Sequence, residues 1–147
     1  MADLDFSSEV LLEQARGNQT AFWHLALRWA REREGSSDGW AKFVGEQFAP
    51  SWDELGDGVS AFEVARLAAL NMATTADMRP VRLTGDASRA EVVVEGPDDD
   101  SLSGFGTTRE ESDRANELIF RAIAERRGLT LEAQRDEAGL HLAFARA

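Results

Sequence analysis

The spacing of apolar side chains changes abruptly near Pro80. Up to about Asp77 they recur every three or four residues, the period of amphipathic helices. Beyond it, Val81 and Leu83 alternate with Arg82 and Thr84. Ala90, Val92 and Val94 then alternate with Glu91, Val93 and Glu95, the period of half-buried strands. A chain with this pattern is expected to fold as α+β, with helices gathered in its first half.

The first helix is expected from Ser8 to Glu34. Leu11, Ala15, Asn18, Phe22, Leu25 and Trp29 follow one another at alternating steps of four and three. Leu12, Trp23, Ala26 and Ala30 widen that stripe. Glu13, Arg16, Thr20, His24, Arg28 and Arg31 fall mostly on the other side. Ser7 or Ser8 can cap its start and Gly35 its end. Gly17-Asn18 is the expected place for a bend or break, because glycine weakens a helix interior.

A second helix is expected over Gly39–Ala49, with Trp40, Phe43, Val44 and Phe48 on one side, stopped by Pro50. Ser51-Trp52-Asp53-Glu54 has capping-box spacing and should open a short turn of helix. A third helix starts at a second box, Ser60-Ala61-Phe62-Glu63, and runs to about Asp77. Its stripe of Phe62, Ala65, Ala69, Met72 and Ala76 is narrow enough for close helix packing.

A β-hairpin follows, turning at Gly85–Ser88. Gly96–Gly106 reads as an irregular acidic loop. Thr108-Arg109-Glu110-Glu111 opens a fourth helix to about Arg127. Leu129, Leu131 and Ala133 then pair with Leu140, Leu142 and Phe144 across a turn at Asp136–Gly139. Helix and hairpin therefore occur twice, over about residues 60–95 and 107–146, behind a helical half of about 8–78. The expected architecture is one domain, 1–147, with a four-stranded antiparallel sheet and helices packed on one face. At 147 residues the chain can bury a core without disulfide or metal staples.

Composition narrows the chemistry. There is no cysteine, which removes thiol nucleophiles, disulfides and zinc–thiolate sites and fits a reducing compartment. The start, Met1 to Phe6, lacks the basic and apolar run of a secretory signal, so a cytoplasmic protein is expected. Net charge is −11, which disfavours nucleic acid and anionic membranes and permits a basic protein partner. The stretch from Glu95 to Asp113 holds seven acids and one arginine, a solvated segment or a dock for such a partner. No cofactor is expected. Ser103–Thr108 lacks the lysine of a phosphate loop, and neither His24 nor His141 has a metal-ligand spacing.

Aromatics are the most distinctive feature. Eight of the twelve lie between Phe22 and Phe62, with all four tryptophans among them. They form either the packed core between the helices or the lining of a pocket for an apolar or aromatic molecule. Asn18 and Asn71 fall within or beside apolar stripes and, if buried, need partners. The candidate ligand-binding set is Asn18, Phe22, Trp23, His24, Trp29, Trp40, Trp52 and Asn71. The expected function is a non-enzymatic acidic binding module for a protein partner or a small apolar or aromatic ligand. The alternative is a small hydrolase or isomerase with His24 as general base. Homodimerisation through the first helix or a sheet edge is a further expectation.

Overall fold

A computed structural model describes residues 6–147. It contains five α-helices, one 3-10 turn and a four-stranded antiparallel sheet. Residues 1–5, which bear on the expected absence of a leader, lie outside the described residues. The helices are α1 (Ser8–Glu34), α2 (Asp38–Phe48), α3 (Ala61–Thr75), α4 (Asp99–Phe105) and α5 (Arg109–Arg126). The strands are β1 (Arg79–Gly85), β2 (Arg89–Glu95), β3 (Leu129–Asp136) and β4 (Gly139–Arg146). The two hairpins join edge to edge in the order β1-β2-β4-β3.

Alternation gives this sheet an apolar inner face, although Val93, His141 and Ala143 on the other face are buried as well. Ala90, Val92 and Val94 of β2 sit opposite Phe144, Leu142 and Leu140 of β4, and all six are buried. Leu131 and Leu129 of β3 extend the same face, and α3 and α5 pack against it. The outer face carries charge: Arg82 pairs with Glu91, and His141 lies between two carboxylates. Its Nε2 is 2.9 Å from Asp136 and its Nδ1 3.3 Å from Glu91. Pro80 falls in an edge strand beside a β-bulge, where its missing N–H does least harm.

Helix ends follow the expected caps, with exceptions. Thr108 and Glu111 form a reciprocal capping box, and Ser60 Oγ accepts from Glu63 N. Ser51 caps nothing. Its hydroxyl donates to Phe48 O, and the 3-10 turn begins earlier, at Ala49, spanning Ala49–Leu55. No break occurs at Gly17-Asn18, since α1 is one continuous helix. An interior glycine costs about 1 kcal/mol, too little to end a helix.

The loop expected over Gly96–Gly106 contains α4. Asp98 accepts from Ser101 N, Leu102 is buried and Gly106 closes the helix in a left-handed conformation. Here the acids are helix-starting groups: one caps, and Asp99 and Asp100 lie in the first turn where the dipole favours them.

The aromatic side of α2 is another departure. Its buried contacts are Ala41 and Gly45, while Phe43 and Phe48 are exposed. A Cβ on Gly45 would lie 3.0 Å from the Ile119 backbone and the Ala122 side chain of α5, so glycine permits that close crossing. In α3 the small residues pack as expected and Phe62 stays at the rim. Among the described residues no helix is long and apolar enough to cross a membrane.

Candidate functional site

Two concavities compete. The wider is a charged groove of about 950 Å³ between the α1–α2 junction, the start of α5 and the β3–β4 hairpin. Arginines and carboxylates line it, and all of them but Glu110 are paired. Arg31 bonds Glu111 at 2.6 Å, Arg114 bonds Asp38 and Glu117, Arg135 pairs with Asp113, and Arg109 reaches Asp99. An anion or cation entering would have to displace these pairs.

The second is a cavity of about 240 Å³ between α1, α3, α5 and the 3-10 turn. Trp23, Trp52, Met72, Ile119, Phe120 and Ile123 form its apolar wall, and Phe48, Ser51, Asn71, Thr75 and Asn116 complete it. Trp52 meets Phe120 edge to face with ring centroids 6.3 Å apart. Trp23 makes the same kind of contact with Trp40, at 5.3 Å.

The polar groups of this cavity are few. The Asn116 amide donates to Ser112 O at 2.9 Å. Asn71 is exposed and donates to Leu67 O, one turn back on its own helix. The Trp23 indole N–H is buried and has no partner within the protein. A buried donor left unmade costs about 1–3 kcal/mol, and the fold carries that cost here, because the N–H is closed off by the surrounding side chains and does not open onto the cavity. None of the lining side chains ionises near neutral pH.

The structure therefore brings together Trp23, Trp52 and Asn71 from the expected set, with Trp40 edge to face against Trp23. It separates the others. Asn18 is exposed and accepts from Gln14, so it needs no buried partner. Phe22 and Trp29 are exposed on the same stripe of α1, away from the cavity. The stripe expected to pack inward, Leu11 to Trp29, faces outward. The buried residues of α1 are Trp23, His24, Leu27 and Ala30. Asn116, Phe120 and Ile123 were legible as cavity residues only through their steps of four and three on α5.

His24, expected on the polar side of α1, is buried instead. The ring stacks on Phe105 of α4 at 5.3 Å and 11°, and Nδ1 is 3.1 Å from Thr107 Oγ1. Nε2 has no partner. The segment mistaken for an open loop is what covers it. Burial pushes the His24 pKa below its ordinary value, while Asp77 and Glu111 pull partly the other way. His24 lines neither concavity, which separates it from the general-base role. Among the described residues no group of three or more histidines and carboxylates is placed to hold a metal ion.

A depressed histidine pKa makes a signed prediction. The unfolded chain binds a proton near pH 6.5 and the folded chain does so only at lower pH. The stabilisation from neutral His24 is present above pH 6.5 and is lost as pH falls through the folded pKa. Urea unfolding between pH 7.5 and 5 should show stability falling by up to about 1.4 kcal/mol per pH unit from this group. His24→Phe, which keeps the stack on Phe105, should flatten that fall. His141 is present in both proteins, so their difference isolates His24. Equal pH slopes would remove the argument.

The fold and cavity define an α+β domain with a small aromatic chamber beneath its first helix. Comparison with protein-family models, with characterised proteins and with solved structures finds no match.

Proposed function

We propose that this protein is a binding module for a small apolar or aromatic molecule. The observation behind this reading is the 240 Å³ cavity walled by Trp23, Trp52, Met72, Ile119, Phe120 and Ile123. Ligand pockets are typically about 300–1,000 Å³, and an apolar cavity of roughly 150 Å³ accepts a benzene ring. The volume here therefore suits one ring with a short substituent. The absence of ionisable side chains in the lining supports holding a ligand over transforming it. The cysteine-free composition supports a cytoplasmic setting.

Thermal denaturation with a panel of single-ring aromatics, such as benzaldehyde, para-cresol and benzamide, tests this. A probe at a hundredfold excess over its Kd stabilises by about 2.7 kcal/mol, or roughly 5–10 °C for a chain of this size. Thr75→Trp, a half-exposed position on the cavity edge, should abolish the shift while leaving the unliganded Tm nearly unchanged. If no single-ring probe moves the wild-type Tm, the reading is wrong.

A further inference from the structure

The outward stripe of α1 has the spacing of a coiled-coil seam. Leu11, Ala15, Asn18, Phe22, Leu25 and Trp29 occupy successive core positions of a heptad repeat over three turns of the pattern. The helix turns this stripe away from its own buried residues Trp23, Leu27 and Ala30. Phe22 is 69% exposed and Trp29 55%, and every residue from Ser8 to Gln19 is exposed. A helical segment of that length is marginal in water without something packed against it.

From this we infer that α1 pairs with α1 of a second copy of the chain, antiparallel, through this seam. Charge selects the occupant. The chain carries a net −11, yet α1 itself has four acids and four bases and is neutral. It is an apolar surface on which two such chains can meet without net repulsion. Charge also selects direction. Parallel pairing would set Arg28 beside Arg33 of the second copy. Antiparallel pairing sets that arginine-bearing end beside the end that carries Glu9 and Glu13.

One register uses all six layers. Leu11 then meets Trp29 of the second copy, Ala15 meets Leu25, and Asn18 meets Phe22, with the smaller residue against the larger in the last two layers. At roughly 100 Å² from each exposed seam residue the pair buries on the order of 1,200 Å², the lower end of the range for specific interfaces. Asn18 is the polar core residue that fixes register at a cost in affinity.

Sedimentation equilibrium of the full chain should show twice the 16.2 kDa chain mass at micromolar concentration. Phe22→Glu should weaken self-association by about 100-fold or more without unfolding the exposed site. Asn18→Leu should tighten it. Because the chain lacks cysteine, introduced thiols report geometry directly. A short bis-maleimide should link Ala21→Cys, which lies next to the twofold axis of this register, and leave Leu25→Cys unlinked. A species of 16.2 kDa at hundreds of micromolar would leave the seam to another protein and overturn the pairing. Linkage at Leu25→Cys in place of Ala21→Cys would overturn its direction.

Discussion

Phe144→Ala is expected to lower the stability of the protein by about 3–5 kcal/mol, the usual cost of removing a fully buried ring. Phe144 is fully buried in β4, the inner strand between β2 and β3. It lies opposite Ala90 on one side and Leu131 on the other, on the face that α3 and α5 cover. Strands on both sides hold the backbone in place, so the site cannot collapse around the missing ring. The transfer term and the cavity term should both be paid in full. Urea unfolding should show the midpoint falling with little change in slope, and the Tm falling by roughly 8–16 °C. Phe43→Ala is the matched control. That ring is exposed on α2, and its loss should stay within about 0.5 kcal/mol. A Phe144 variant that loses less than about 1 kcal/mol would mean the core does not lie between this sheet face and the helices.

The contrast between those two phenylalanines shows where the sequence was legible. In the strands, alternation leaves one assignment: Leu140, Leu142 and Phe144 must share a face, and His141 must take the other. The join between the hairpins does not follow from alternation, because β3 carries Leu129, Leu131 and Ala133 at alternate positions just as β2 and β4 carry theirs; only the pairing of β2 with β4 in the structure places it. Helices are more permissive. The first helix has two apolar stripes, and nothing in the spacing says which one meets the rest of the chain. The better heptad, Leu11 to Trp29, faces solvent, while Trp23, Leu27 and Ala30 pack inward.

Contacts between distant segments were the least legible. The burial of His24 depends on Phe105 and Thr107, more than eighty residues away, in a segment whose acidic run concealed a capped helix. The cavity needed Asn116 and Phe120 of α5 to complete a wall that Trp23, Trp52 and Asn71 begin. A cluster of aromatics in sequence was therefore a partial guide. Two of its tryptophans line the cavity, a third supports one of them, and the fourth lies on the outer seam.

Gly139→Ala is expected to cost about 3 kcal/mol or more, although it adds one methyl group at a hairpin turn. Gly139 opens β4 with φ of +140°, a backbone region that L-residues rarely enter. A Cβ built there would lie 2.4 Å from the Val94 carbonyl oxygen of β2. That oxygen belongs to a strand held between β1 and β4, so it cannot rotate aside as a flexible side chain would. Dihedral strain of about 1–3 kcal/mol and overpacking of similar size therefore act together. Gly128→Ala separates the two causes. Gly128 has φ of +70° at the end of α5, and an added Cβ there meets nothing within 4 Å. It should cost only the left-handed penalty, about 1–2 kcal/mol. Equilibrium unfolding of both variants decides the matter: equal losses would show that the contact with Val94 contributes nothing, and a clearly larger loss at Gly139 would show that the β3–β4 hairpin is held against β2 by a backbone approach that glycine alone permits.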